Sequence, residues 1–328
     1  MNTFLTNILF LTRRGEGYVG APQTRHEFEQ ELAKHANCAF AGEGWSLYRA
    51  NESMDMTVTR VMPDADWVID KDNNLHNKKP SNRSYKVGVF ISDLHGKHYY
   101  RVKTPTGFTD MLNAAGYDRV WMRYPFIHGT SYSPDVVCKG LTAETQWVPW
   151  SINPDKFKPY ANKWDVTFIG SRGTCYPLRN DIWKNIHSVA QGYKVLRREA
   201  PKGKTYTRDV KSLDSSHLVG ENYAKTLGES RMLLFGCSVY RYAIQKFFEA
   251  PASHCLVVSN KPDMAERLGF VDDKTYVEVS NDNWKETLLY LLETPSYVQR
   301  IADAGMENVL KNHTHAVRAK QFLRELTD

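Results

Sequence analysis

Hydrophobic residues occur in short runs along the whole chain, separated by polar segments that contain Gly, Asn or Asp. In the first half the runs "NILFLT", "DWVID", "KVGVFIS" and "DRVWMRY" predict strands, while 24–36 and 106–116 have the spacing of amphipathic helices. The second half repeats this rhythm, with strands within 165–171, 193–198, 231–238, 255–260 and 276–280. Its helices are predicted near 178–190, 220–230, 240–252, 283–293, 296–311 and 314–326. Strands that alternate with helices predict parallel sheets covered on both faces, hence an α/β fold.

A proline-rich segment, "WVPWSINPDKFKPY", separates the two halves. Prolines restrict the backbone and suit an extended connector. We therefore expect a Rossmann-like domain at 1–147, a connector at 148–160 and a second Rossmann-like domain at 161–312. Two parallel α/β domains joined in this way predict a cleft between them, with ligands beyond the carboxyl ends of the strands.

Composition narrows the class of protein. With 328 residues, 41% hydrophobic and 24% charged, the chain has the make-up of a soluble globular protein. No apolar run approaches the ~20 residues of a membrane span, and the arginines near the N-terminus follow the apolar run rather than precede it. Five scattered cysteines without a Cys-x-x-Cys pair argue against zinc and disulfide frameworks. We expect a cytoplasmic protein with no metal.

The net charge of +6 is concentrated locally. Residues 194–211 contain seven basic and two acidic residues, with tyrosines at 193 and 206. Basic segments with aromatic residues suit nucleic acid or another anionic acceptor, which makes Lys202, Lys204 and Arg208 candidate acceptor contacts. A solvated surface loop is the alternative.

Two glycine-containing turns are candidate anion sites. "DVTFIGSRGTCYPLRND" predicts a strand, a small-residue turn and a helix N-terminus, a combination that binds anions through backbone N–H groups. Ser171, Arg172 and Arg179 fall in this segment. In "LFLTRRGEGYVGAP", Gly15 and Gly17 would let the backbone approach a phosphate or sugar. Ordinary turns remain the alternative for both.

Asp93, His95 and His98 follow a predicted strand in "VFISDLHGKHYY". A carboxylate or imidazole at a strand end could take a proton from an acceptor hydroxyl, so Asp93 and His95 are the catalytic candidates. A short metal-ligand cluster and a helix cap by Asp93 are the alternatives.

Glu249 follows an apolar stripe in "YRYAIQKFFEAPASHCLVVSN". In a helix over 240–252 it would lie near the C-terminus, against the preference of a carboxylate. A group placed against its local preference suggests a specific task. A carboxylate accepts hydrogen bonds from two vicinal hydroxyls, as in a ribose; a salt bridge is the alternative.

The order of these segments resembles that of the GT-B glycosyltransferases, the "glycosyl transferases group 1" superfamily. The similar segments are the connector, the turn after residue 169, "YAKTLGESRMLLFGCS", "KFFEAPASHCLVVSNKPD" and the closing helices. The resemblance implies a donor site in the second domain and a helix at 313–328 that crosses back to the first domain. Glu249 would hold the donor ribose. The other implied donor contacts are Arg172, Arg179 and Lys246 at the diphosphate and Tyr242 and Ser238 in the pocket wall.

The implied activity is transfer of a sugar from a nucleotide-diphosphate sugar, UDP-linked, to a hydroxyl of a glycan, a small molecule or a modified DNA base. No cofactor is required. Arg241 stands where many relatives have a second glutamate, and His254 stands where they have glycine. Arg241 in place of the glutamate leaves open the alternative of a non-catalytic nucleotide-sugar or nucleic-acid binding protein. His254 in place of glycine requires positive φ, which histidine tolerates.

Overall fold

The computed structural model describes residues 6–16, 21–70, 77–91, 105–124, 140–199 and 218–327. Its contacts divide the chain into two compact units. Unit 1 comprises 1–15, 28–149 and 319–328, and unit 2 comprises 16–27 and 150–318. Residues 16–27 thus group with unit 2, although they precede most of unit 1 in the sequence.

Unit 1 is built on a six-stranded parallel sheet in the order β2-β1-β3-β4-β5-β6. The strands are β1 (Asn7–Phe10), β2 (Asn37–Phe40), β3 (Trp67–Asp70), β4 (Lys86–Ile91), β5 (Arg119–Met122) and β6 (Glu144–Trp147). Its helices are α1 (Ala21–Leu32), whose first residues belong to unit 2, α2 (Met54–Val61) and α3 (Pro105–Ala115).

The core of unit 1 centres on Trp121 of β5, which is fully buried. Its ring packs against Phe90 and Phe322, with centroids 5.0 and 4.9 Å away. Gly88 on the neighbouring strand makes room for it, since a Cβ there would lie 2.2 Å from the indole. The aromatic core and the strand register therefore depend on each other.

Unit 2 contains a five-stranded parallel sheet in the order β11-β10-β9-β7-β8. The strands are β7 (Val166–Ile169), β8 (Val195–Arg198), β9 (Met232–Leu234), β10 (Leu256–Ser259) and β11 (Val277–Glu278). The helices are α4 (Pro177–Val189), α5 (Gly220–Gly228), α6 (Lys246–Ala252), α7 (Trp284–Glu293), α8 (Pro295–Asn312) and α9 (His315–Thr327), the last continuing into unit 1. Every residue of β7, β9 and β10 is buried, as expected for parallel strands covered on both faces.

Two parallel sheets with helices confirm the predicted α/β class. The hydrophobic pattern missed the edge strands β2 and β6, whose sequences "NCAF" and "ETQW" are only partly buried. The helix predicted over 240–252 was too long, because α6 begins only at Lys246. In the described part of the chain, no helix is both long and apolar enough to span a membrane.

Candidate functional site

The carboxyl ends of β7, β9 and β10 define one edge of the sheet in unit 2. Each strand is followed by small or polar residues, at 170–173, 236–238 and 260. The Asn260 side chain accepts a 2.6 Å hydrogen bond from the Cys237 N–H and so ties two of these turns together. The carboxyl edge of a parallel sheet is where α/β folds bind ligands.

Arg179 connects the turns that follow β7 and β9. It lies in the first turn of α4 and is buried. Its Nε donates to the Gly236 carbonyl at 2.6 Å, and Nη1 donates to the Ser171 carbonyl at 3.3 Å. The guanidinium also lies 3.9 Å from the centroid of the Tyr176 ring. These contacts fix a positive charge at the sheet edge.

Glu249 is a buried carboxylate, 8% exposed, in the first turn of α6. Glu249 lies three residues before the end of α6, as expected, but the helix is so short that it also lies three residues from its start. The Tyr223 hydroxyl donates to Oε2 at 2.8 Å, and Phe157 packs edge-on against the Tyr223 ring. Within the described residues the carboxylate accepts no other hydrogen bond and has no cation within 4 Å. Burial raises its pKa, opposed by the charge of Lys246 and by the tyrosine.

Lys246 is the first residue of α6 and is half-buried. Its ammonium lies 5.4 Å from the centroid of the Tyr223 ring. Burial lowers its pKa to about 8; the Glu249 carboxylate opposes this fall and Arg179 adds to it. Among the residues that the structure describes, Lys246 forms neither an ion pair within 4 Å nor a side-chain hydrogen bond. A partly desolvated cation and a buried anion thus share one region without a direct contact.

The first half of α1 supports this region within unit 2. Gln245, which precedes α6, donates from Nε2 to Thr24 Oγ1 at 2.7 Å. Glu27 pairs with Lys156 at 3.1 Å, and His315 Nε2 lies 3.7 Å from its carboxylate. Burial would raise the pKa of Glu27, but His315 and Lys156 hold it below its ordinary value. The start of α6 is therefore anchored by residues distant in sequence.

The remaining donor candidates have different surroundings. Arg172 pairs with Glu199 at 3.1 Å and lies 4.4 Å from the Trp183 ring centroid, so its contacts differ from those of Arg179. Ser238 and Tyr242 are buried in the segment between β9 and α6. Ser171 contributes its carbonyl to Arg179, as described above.

Arg241 and His254, the two departures from the GT-B sequence pattern, both have positive φ, 55° and 59°. The structure confirms the expected turn at His254, whose Nε2 lies 2.7 Å from Asp303. The Arg241 side chain pairs with Asp263 at 3.5 Å. Its charge is therefore balanced locally.

Several candidates fall outside the described residues: Asp93, His95, His98, Gly17, Lys202, Lys204 and Arg208. Gly15 is buried after β1 in unit 1. Among the side chains that the structure describes, no group of three or more His, Cys, Asp or Glu could hold a metal ion. Sequence reasoning did not identify Tyr223 as the partner of Glu249.

Known structures share this architecture. Sucrose-phosphate synthase from Thermosynechococcus elongatus superposes with a TM-score of 0.63 at 11% identity, covering 98% of this chain and 99% of its own. A glycosyltransferase from Rickettsia africae gives 0.61 at 12%, covering 98% of each chain. Anabaena HepE in complex with UDP and glucose gives 0.61 at 11%, covering 98% of this chain and 99% of its own. A comparison with curated protein sequences found no significant match.

These likenesses assign the chain to the GT-B fold and confirm the fold expected from the order of its motifs. A family model described as "Glycosyl transferase-like" matches residues 180–324. The matched segment contains Glu249 and Lys246.

Proposed function

We propose that the protein transfers a sugar from a nucleotide-diphosphate sugar to a hydroxyl acceptor. The Glu249 carboxylate carries this proposal, because Tyr223 occupies one of its oxygens and the other accepts no hydrogen bond from the described residues. The two hydroxyls of a ribose would add hydrogen bonds to it, since a single bond from Tyr223 offsets only part of the hydration that a buried carboxylate loses. The Anabaena HepE structure, solved with UDP and glucose, supports a UDP-linked donor.

Lys246 would contact the diphosphate and remain charged through that contact. Together with the fixed charge of Arg179, it would stabilise the negative charge that develops on the leaving nucleoside diphosphate. Ser171, Ser238 and Tyr242 would line the donor. Arg172 would contribute only after releasing Glu199, to which it is paired.

The acceptor would supply a hydroxyl, and Asp93 or His95 would take its proton. A glycan is one acceptor class. A small molecule is the second, and a hydroxyl-bearing DNA base is the third, for which Lys202, Lys204 and Arg208 would contact phosphates. Gel shifts with plain and hydroxymethylated duplexes across a salt series test the DNA acceptor, because phosphate contacts weaken as salt rises.

A donor screen tests the activity directly. Released nucleoside diphosphate is measured over a panel of nucleotide sugars with wild-type protein, Glu249→Ala and the matched variant Glu307→Ala, which changes an exposed glutamate in the same unit. We expect release with at least one donor, retained in Glu307→Ala and lost in Glu249→Ala. No release with any donor and acceptor pair, or equal release by both variants, would overturn the proposal.

A further inference from the structure

Unit 1 contains a pocket of its own, about 370 Å³ in volume, at the carboxyl ends of β1, β2 and β3. Leu11 follows β1, Gly42 follows β2, and residues 77–80 lie beyond β3. In the sheet order β2-β1-β3, the chain leaves β1 toward one side for β2 and continues on the other side with β3. Crevices at such switch points are the usual ligand sites of open α/β sheets.

The inner wall of the pocket contains charged groups that are already neutralised. The Glu52 carboxylate, 7% exposed, is held at both oxygens by Arg60, with a 2.8 Å bond from Nε to Oε1. Hydrogen bonding by Arg60 lowers the pKa of Glu52 to about 2. Lys79 pairs with Asp70 at 2.5 Å, and both side chains are almost fully buried. The two ion pairs leave this wall without net charge.

The rim, in contrast, has a surplus of positive charge from Arg49 and Lys78. Arg49 lies 4.0 Å from Glu52, which Arg60 already neutralises. Lys78 is exposed and makes no ion pair or side-chain hydrogen bond with the described part of the chain. Two cations at the mouth of one pocket favour an anionic ligand.

Other lining groups suit hydroxyls. Ser53, Thr57 and Asn77 line the pocket. Ser53 Oγ accepts a bond from the Met56 N–H and can still donate, whereas the Thr57 hydroxyl donates to Glu52 and can still accept. Tyr48, which is 36% exposed, lines the same pocket. The volume lies at the lower end of the range for ligand sites, which favours a small molecule.

We propose that this pocket binds a small polyhydroxylated anion, a sugar phosphate or a sugar carboxylate, whose charged group contacts Arg49 and Lys78. The hydroxyls of the ligand face Ser53 and Thr57. This site lies within unit 1, so its existence does not depend on the donor site proposed in unit 2.

Calorimetric titration of the full chain tests the proposal with glucose 6-phosphate, glucuronate, glucose and inorganic phosphate. The proteins are wild type, the double variant Arg49→Gln/Lys78→Gln, and Lys34→Gln, which removes one exposed charge of unit 1 elsewhere. Circular dichroism confirms that each is folded. We expect at least one sugar anion to bind about tenfold or more tightly than glucose and than inorganic phosphate, because bonds to charged groups contribute about 1.5–3 kcal/mol.

The double variant should lose about tenfold or more of this affinity, and Lys34→Gln should lose none. Glucose binding as tightly as the sugar anions would overturn the anionic class. Inorganic phosphate binding as tightly would overturn the polyhydroxylated class. No binding, or unchanged binding in the double variant, would overturn the site itself. A parallel UDP titration should give equal affinities in all three proteins, which separates this result from the donor proposal.

Discussion

Replacing Lys246 with methionine should stabilise unit 2 and, at the same time, remove donor binding. The ammonium is half-buried, and in the described structure it has no ion pair within 4 Å that would offset its lost hydration. Its pKa falls from 10.5 to about 8 mainly through burial. Methionine has a similar shape and no charge, so it removes this cost.

The magnitude follows from the pKa. A pKa difference of one corresponds to about 1.4 kcal/mol, so the fall from 10.5 to about 8 gives an upper bound of about 3 kcal/mol. Partial exposure of the side chain reduces this cost. We therefore expect Lys246→Met to raise the free energy of unfolding by about 1–2 kcal/mol at pH 7. The gain should be complete below pH 8, where lysine is charged in both the folded and the unfolded chain. It should shrink between pH 8 and 10.5, where the folded protein loses the proton first.

Urea unfolding at pH 7 and pH 9.5 measures this gain, with Lys184→Met as the matched control on an exposed position of α4. The control should change the free energy of unfolding little at either pH. Calorimetry with UDP then measures the functional loss. Destabilisation of Lys246→Met at pH 7, or a gain of equal size at both pH values, would refute the reasoning about this buried charge.

Three further changes test individual contacts. Tyr223→Phe removes the hydrogen bond to Glu249 and should weaken UDP binding by about tenfold at most, with an unchanged free energy of unfolding within about 1 kcal/mol. Gly42→Ala should destabilise unit 1 by more than about 1 kcal/mol, because its Cβ would lie 1.9 Å from the Thr12 carbonyl oxygen; urea unfolding measures this. His313→Leu should cost about 1–3 kcal/mol in the same assay, because it removes a 2.9 Å bond to a buried backbone carbonyl.

The central strands of both sheets could be predicted from sequence because they are buried on both faces and therefore read as continuous apolar runs. Edge strands such as β2 and β6 could not, since their residues are partly exposed. The spacing of apolar residues also failed to predict where α6 begins. The segment before it is held by tertiary contacts, including the bond from Cys237 to Asn260 and the bond from Gln245 to Thr24.

Glu249 was identified from sequence, but its surroundings were not. The predicted helix over 240–252 was longer than α6, in which Glu249 lies three residues from either end, so the helix dipole does not by itself disfavour this carboxylate. Its hydrogen-bond donor Tyr223 is 26 residues away in the sequence, and only the folded chain brings the two side chains into contact. The pairing of Arg172 with Glu199 depends in the same way on the register of β7 and β8.

Calorimetric titration of UDP into wild-type protein and Glu249→Gln tests the central claim most directly. Glutamine keeps the shape of the side chain and removes the negative charge that would accept the ribose hydroxyls. We expect wild-type protein to bind UDP and the variant to bind it about tenfold or more weakly, because hydrogen bonds to a charged group contribute about 1.5–3 kcal/mol. Equal affinity of the two proteins for UDP, or no binding by either, would contradict a nucleotide-sugar site at Glu249.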